Sequence, residues 1–586
     1  MHICSVKNKN HAMQKKLIIT LIWVVLLALN CQKKDTIYPA INDTAFDNGS
    51  NIIFPELDNQ IIDDLELLGK LWGFLKYHHP EIGKGNYNWD YELFRVLPDY
   101  LKVTDKKQRD QLLLSWINKY GEIPVCKRGK KTSKKVFIKP DLSWIENSDA
   151  DNALKDKVKE IYQNRHQGRH YYISMTPMVG NPKFNNENLY SNMPFPDEGF
   201  RLLALYRYWN TINYFFPYKY MTDKNWDDVL KEYIPIFINV KDELEYELAV
   251  AQLIGEICDT HGFLLEFDQI QKIKGNKDAP FVVKFIENKL VVTDYFKPEL
   301  AEKAKLQKGD IITHISGKPV EKIVDSLKKY YPASNEAARL RNMAHNLLRS
   351  NSSIIDIKYI SDGQSKESTL KLYNSYYLNM EEYWNKGVDE KCYKLLDDNI
   401  GYITLKAIKN DDIKEIKNSF KNTKGIIIDI RNYPSTFVPF KLGTYFLKKR
   451  TPFVKFTIGS VNNPGQFRFT GPLYISKSKN YYQGKLVVLV NEDTQSQAEY
   501  TAMAFKASPN TTIMGSTTAG ADGNVSIISL PGGLKTYISG IGIYYPDGTK
   551  TQRVGIVPDI YIEPTIEGIK SGRDELLEKA IEFINK

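Results

Sequence analysis

Only five cysteines occur in the 586 residues, at positions 4, 31, 126, 258 and 392. Their wide separation excludes both a disulfide framework and a cysteine-based zinc site. There is no Gly-rich phosphate loop and no metal-ligand motif, so no cofactor is implied. Apart from the run Leu17 to Leu29 there is no long apolar stretch, which excludes a multi-span membrane protein. One-signed charge is lacking too: 80 basic residues face 70 acidic ones, a net +10. Lys7, Lys9, Lys15 and Lys16 lie in a segment read below as removed, which lowers that excess further. The cluster Lys127, Arg128, Lys130, Lys131, Lys134 and Lys135 comes with no RNA- or DNA-binding signature. It reads as a solvated loop, and nucleic acid is not an expected partner.

What is present is the composition of a folded, water-soluble protein, 42% hydrophobic and 26% charged, in a chain long enough for several domains. Lys15 and Lys16 precede the apolar run to Leu29, and Ala28-Leu29-Asn30-Cys31 follows. A basic start with an apolar run too short to span is a signal peptide. Its end is similar to a bacterial lipoprotein box, apart from Asn30 where a small residue is usual. Residues 1–30 are therefore expected to be a lipoprotein signal peptide, with Met13 as an alternative start, and Cys31 the lipidated residue anchoring the protein to the cell envelope. Residues 31–56, polar and aperiodic, read as a tether.

Leu68, Trp72, Tyr77, Pro80, Trp89, Asp90, Leu93 and Pro98 recur 137 positions later as Leu205, Trp209, Tyr214, Pro217, Trp226, Asp227, Leu230 and Pro235. Such self-similarity indicates a duplicated helical unit, with copy 1 and a connector over 57–190 and copy 2 over 191–278. Copy 2 continues into a helix expected from Glu243 to Cys258, capped by Asp242, and ends in Asp259-Thr260-His261-Gly262. At the same offset copy 1 has Pro124, so His261 belongs to one copy only, which favours a specific task. Residues 279–375 change to short β-type runs, with Lys308-Gly309-Asp310 leading into Ile311 to Ile315. This is similar to a PDZ module, which would capture peptide on a sheet edge. Residues 376–586 alternate strands and helices, with buried-strand runs at Ile400 to Leu405, Gly425 to Ile430 and Lys485 to Val490 and an amphipathic helix from Asp574 to Asn585.

Val487-Val488-Leu489-Val490-Asn491-Glu492-Asp493-Thr494-Gln495-Ser496-Gln497-Ala498-Glu499 is a strand, a tight turn and a helix start. It sets Ser496 at a helix N-terminus, where free amides such as that of Gln497 can stabilise an oxyanion. The same residues also spell a plain capping box, Ser496 to Glu499. Thr494 with Gln497 offers a second capping box, which would release the Ser496 hydroxyl for chemistry.

This segment resembles the nucleophile turn of the C-terminal-processing and tricorn-type (tail-specific) serine peptidases. Gly425-Ile426-Ile427-Ile428-Asp429-Ile430-Arg431-Asn432 and Gly555-Ile556-Val557-Pro558-Asp559-Ile560 resemble two further motifs of that family, in its order and behind a PDZ-like module. The resemblance covers roughly 242–586. It implies a multidomain α+β protein with a duplicated helical region, a PDZ-like module and an α/β catalytic domain of the crotonase/ClpP-like type. The implied function is extracytoplasmic endoproteolysis of peptides or unfolded protein tails, with no cofactor, through an acyl-enzyme at Ser496. The lysine-dependent class is disfavoured by Ala521 in Thr518-Ala519-Gly520-Ala521-Asp522-Gly523. The tricorn-like class places a histidine where His261 stands, which makes His261 the expected general base over His314 or His78-His79. Two departures stand out. Tyr433-Pro434-Ser435-Thr436 replaces the usual Gly-Gly, leaving the Gln497 amide as the oxyanion donor. Gln552 stands where the acidic partner is usual, so Gln552→Glu would be expected to raise turnover unless Glu499 or Asp522 serves instead. Asp429, Arg431 and Asp559 read as strand-end structure. The alternative is a non-catalytic lipoprotein that binds peptides through the PDZ-like module.

Overall fold

The computed structural model describes residues 38–126 and 136–586. The signal segment, Cys31 and the basic cluster at 127–135 lie outside the described residues. Among the described residues no helix is long and apolar enough to cross a membrane.

The helical region is built on α1 (Asn59–His78), α2 (Trp89–Tyr100), α3 (Glu198–Phe215), α4 (Trp226–Asn239) and α5 (Glu243–Gly255). Its repeat recurs in hydrogen bonding. The Trp72 indole donates to Trp89 O at 3.0 Å and Trp89 donates back to Trp72 O at 2.9 Å. Trp209 and Trp226 make the same reciprocal pair at 2.6 and 3.0 Å. Each pair locks a helix to its successor and satisfies both buried indole N–H groups. The two copies face each other across α1 and α3, where Tyr206 donates to Leu65 O at 2.5 Å and Asn210 to Gly69 O at 3.0 Å. A Cβ at Gly73 would lie 1.9 Å from the Asn210 side chain, so glycine is required for this close approach. The tryptophans and most of the tyrosines and phenylalanines among the described residues here form one core, consistent with packing roles for this aromatic-rich region.

A second core lies in an antiparallel sheet of β1 (Phe281–Ile286), β2 (Lys289–Tyr295), β3 (Ile311–Ile315), β4 (Ile354–Ser361) and β5 (Gln364–Lys371). The strand order is β5-β4-β3-β2-β1, so β1 is an edge. Helices α6 (Val320–Leu327) and α7 (Glu336–Leu347) pack on it.

The C-terminal region holds a six-stranded sheet in the order β6 (Tyr393–Leu396), β7 (Ile400–Thr404), β8 (Gly425–Asp429), β9 (Lys485–Val490), β10 (Thr511–Gly515) and β13 (Ile560–Tyr561). Only β6 runs antiparallel. Alternate residues point to opposite faces of each strand. Thus Ile427, Val487 and Leu489 meet Leu576, Ala580 and Ile584 of α9 (Glu575–Asn585), whereas Ile428, Val488 and Val490 meet Ala498, Ala502 and Phe505 of α8 (Gln497–Lys506). Covering both faces explains why these strands are continuous apolar runs. Each fully buried Leu or Ile contributes about 1.5–3 kcal/mol.

Between β10 and β13 the chain leaves this sheet as a hairpin of β11 (Val525–Ser529) and β12 (Lys535–Ser539). β12 pairs with Leu264–Leu265, and Ile528, Leu530, Leu534 and Ile538 join the helical core. This excursion brings the end of β12 to the segment after α5. That helix stops at Gly255, three residues short of the expectation, because Cys258 adopts a left-handed backbone (φ 51°) that turns the chain.

Candidate active site

Ser496 follows β9 at the carboxyl end of the sheet, where ligands bind in open α/β folds. It is the N-cap of α8 and has φ 56° and ψ −118°, a region costly for a residue with a Cβ. Such strain is about 1–3 kcal/mol and persists only when surroundings enforce it. Three sets of contacts do so. The Ser496 amide donates to Ala521 O at 3.0 Å and to the Glu499 carboxylate at 3.2 Å. Glu499 also accepts from Thr518 Oγ1 (2.5 Å), Gly520 N (2.9 Å) and Ala521 N (3.0 Å). The preceding turn is held from the β1–β5 module: Lys284 reaches Asp493 at 2.7 Å and Glu492 at 3.4 Å, and Arg341 donates to Glu492 O and the Gln495 side chain.

Thr494 does not provide the second capping box expected from sequence. Its hydroxyl donates to Ile430 O at 2.9 Å and accepts from Asn491 N at 3.1 Å, so it ties β8 to the turn instead. The Gln497 amide finds no backbone acceptor among the described residues, as first-turn amides do not. The Gln497 side chain donates to Pro434 O at 3.4 Å, which sets the Tyr433-Pro434 loop beside the helix start.

His261 is buried. Its Nδ1 lies 2.9 Å from Ser539 Oγ, and that hydroxyl lies 3.0 Å from Asp259 Oδ1. The second oxygen of Asp259 accepts from Ser539 N at 2.7 Å, and Nδ1 itself is 3.8 Å from Asp259 Oδ1. With Nδ1–H donating to Ser539 and Ser539 donating to Asp259, Nε2 is left as the basic nitrogen. Burial lowers the His261 pKa and Asp259 opposes it, with lowering the net result, so the ring is neutral at pH 7.

Gln552 joins this group from the far side. Its Nε2 donates to Asp259 Oδ1 at 3.2 Å, and no hydrogen bond links it to His261. Asp259 and Ser539 were missed by sequence reasoning. Asp259 was legible as the acid two residues before His261, but Ser539 carried no signal. Neither of the other carboxylates considered from sequence touches His261. Glu499 is spent on the 518–521 loop, and Asp522 Oδ1 accepts from Gly523 N at 2.7 Å. Burial first, then the Glu499 charge, raises the Asp522 pKa well above the usual carboxylate range.

The 519–521 segment links the two halves. Thr260 Oγ1 donates to Ala519 O at 3.0 Å on the His261 side, and Ser496 N donates to Ala521 O on the other. Ser496 and His261 are not hydrogen-bonded to each other here; catalytic hydrogen bonds are often long without substrate. The remaining histidines of the sequence comparison lie elsewhere: His314 bonds to Thr313 in β3, and His78 and His79 are in the helical core.

Residues 399–562 match the family described as peptidase family S41, and residues 286–370 match the N-terminal domain of the Bacteroidetes S41 family peptidases. The chain carries a serine-type peptidase family S41 domain. No curated protein matches its sequence. Among solved structures it is similar to mature CPAF, at 13% identity over 66% of this chain and 98% of that one, with a TM-score of 0.52. CPAF complexed with lactacystin gives 14% identity, 66% and 99% coverage and a TM-score of 0.51. The photosystem II D1 C-terminal processing protease gives 16%, 64% and 98%, with 0.36. The likeness to CPAF is one of fold.

Within the S41 domain the strand-end charges are structural. Arg431 bridges Asp429 and Asp574, each at 2.7 Å, and Asp559 accepts from Ile513 N at 2.8 Å while pairing with Lys506 at 3.1 Å. No group of His, Cys, Asp or Glu among the described residues is placed to hold a metal ion.

The Lys284 contact gives a test of whether the turn before Ser496 has to be held in place. Burial opposes the Lys284 charge, but Asp493 and Glu492 outweigh it and raise its pKa. Lys284→Met is expected to let the turn drift and lower kcat about 10- to 100-fold with KM little changed. Single-turnover kinetics on an exposed peptide checks this; an unchanged kcat would make the ion pair merely interdomain packing.

Proposed function

We propose that this chain is an extracytoplasmic, lipid-anchored serine endopeptidase acting on peptides or unfolded protein tails. Ser496 Oγ attacks the scissile carbonyl carbon while His261 Nε2 takes its proton. The imidazolium so formed is stabilised by Asp259, directly and through the Ser539 hydroxyl. The tetrahedral oxyanion is met by the Gln497 amide and the N-terminal end of α8. His261 then returns the proton to the leaving amine, leaving an acyl-enzyme for water to hydrolyse. The observation that carries this reading is the strained Ser496, enforced at a helix start, across the 519–521 segment from a neutral histidine backed by a buried carboxylate.

The β1–β5 module is read as PDZ-like. Ile286 and Lys289 flank a two-residue turn, so they form a hydrogen-bonded pair and the backbone groups of Val283 and Phe285 point from the free edge of β1. That edge, beside α7, suits an added peptide strand.

Labelling the intact protein with a fluorophosphonate and locating the adduct by mass spectrometry tests the nucleophile. The adduct is expected on Ser496. The second reading, a non-catalytic peptide-binding lipoprotein, is favoured only by Pro434, which removes one amide from the loop beside α8; an unlabelled Ser496 in folded protein would select it. For the anchor, Cys31→Ser is expected to move the protein from the membrane to the soluble fraction, and an unchanged partition would rule the anchor out.

A further inference from the structure

A cleft of about 1230 Å³ runs between α5 with its following segment and the β1–β5 module. Its walls are apolar, with Leu248, Phe263, Phe267 and Ile270 on one side and Ile323 and Leu327 on the other. Phe263 and Ile273 stand 45% and 56% exposed along it and extend its apolar surface. One end reaches Thr260 and Gln495, the neighbours of His261 and Ser496. Sites for small molecules are about 300–1,000 Å³, so this cleft suits a length of extended chain.

Its charge is one-sided. No Asp or Glu lines it, whereas Lys274, Lys318, Lys322, Arg341 and Arg349 all do. None of the five forms an ion pair with a described residue. The Lys274 ammonium makes no hydrogen bond among the described residues and lies over the rings of Phe267 and Tyr331, at 5.6 and 5.1 Å. Burial, and then the Arg349 charge, lowers its pKa. Arg349 faces Asp278, but no acidic group among the described residues offsets Lys274, whose charge is disfavoured by burial and by Arg349, and a carboxylate entering the cleft beside it relieves that cost.

We propose that this cleft is a specificity subsite for stretches of substrate that are apolar and carry acidic side chains. This deepens the peptidase reading and rests on it. The anions are assigned to side chains because the cations are spread over separate segments. Lys318 and Lys322 flank the start of α6, while Lys274 ends the helix Asp268–Lys274 and Arg349 stands opposite Asp278 in a strand pair. One chain terminus cannot serve all of them.

The test uses one fluorescent apolar peptide in four forms: two glutamates or two glutamines, each with a free or an amidated C-terminus. Binding to full-length Ser496→Ala protein is read by fluorescence anisotropy, and kcat/KM is read on the wild type. The glutamate peptides are expected to bind at least about tenfold more tightly, with the gap narrowing at high salt as screening increases. The double variant Lys274→Met, Arg349→Gln should remove most of that gap and leave the glutamine peptides unaffected. Equal binding of both pairs overturns the proposal, as does a gap that survives in the double variant. Binding that follows only the free C-terminus also overturns it, by moving the anion to the chain end. Because binding is read without turnover, a preserved charge preference with no cleavage supports the subsite and counts against the peptidase reading alone.

Discussion

Ser496→Ala and Asp259→Asn are each expected to lower kcat by about 10³- to 10⁴-fold, and the double variant to fall little further, because residues that act as one unit are not additive. The fold should survive both changes. Alanine loses the Ser496 side-chain half of the capping box with Glu499, about 1 kcal/mol, but keeps the Ser496 amide's bonds to Glu499 and to Ala521 O, which hold the start of α8. An asparagine in place of Asp259 would keep one acceptor for Ser539 but lose the negative charge that stabilises protonated His261. Because Asp259 raises the His261 pKa, Asp259→Asn should also move the acid limb of the pH-rate profile to lower pH, which a purely structural role would not do. Gln552→Glu, expected from sequence to help, is now expected to hurt. Gln552 Nε2 donates to Asp259 Oδ1, and its Oε1 is buried without a partner among the described residues. A second carboxylate there would repel Asp259 and hold a proton between the two. A pH-rate profile for wild type, Ser496→Ala, Asp259→Asn and Gln552→Glu checks all of this. If Asp259→Asn retains near-wild-type turnover, Asp259 is structural.

Acidification is expected to unfold the helical region between about pH 6.5 and 4. His78, His79 and His170 are buried there, each with an Nε2 that has no partner among the described residues. Burial lowers the pKa to about 3 for His78 and about 4 for His79, and burial with the His166 charge lowers His170 well below the ordinary value. The sign follows from proton counting. Below pH 6.5 the unfolded chain binds protons at these sites and the folded chain does not, so stability present above pH 6.5 is lost as pH falls. At pH 5 His78 and His79 each contribute a loss of about 2 kcal/mol. With the further loss from His170 this is a large part of the roughly 5–15 kcal/mol that holds a typical domain folded. Glu81 near His79 and the cations Arg165 and Lys157 modulate but do not reverse this. His78→Phe, which keeps the stack on Phe74, should shift the acid midpoint downward. Circular dichroism against pH checks it; an acid transition identical in wild type and His78→Phe would exclude His78 as a contributor.

The strand–turn–helix carrying Ser496 was legible because its information is local. A valine-rich run buried on both faces specifies β9, and a capping residue followed by Glu499 specifies where α8 begins. The same holds for the helical region, whose recurring Trp positions return as two equivalent pairs of reciprocal indole bonds. Local reading failed where a side chain had a distant choice. Thr494 has the right spacing to cap α8, yet its hydroxyl serves β8. The helix expected to reach Cys258 ends early because Cys258 turns the chain toward the hairpin of β11 and β12.

By itself, then, the sequence determined the strands, the helix starts and the serine among them, since periodicity and capping act within a few residues. Tertiary structure alone decided what stands behind His261. Ser539 lies 278 residues away in sequence and Gln552 lies 293 from Asp259, and no local pattern records either pairing. They meet because β12 buries its apolar face in the helical core, where Ile538 packs, and that burial carries the adjoining Ser539 to the Asp259 carboxylate. A buried carboxylate must find donors, and the fold supplies them from the Ser539 amide and hydroxyl, the His261 amide and Gln552.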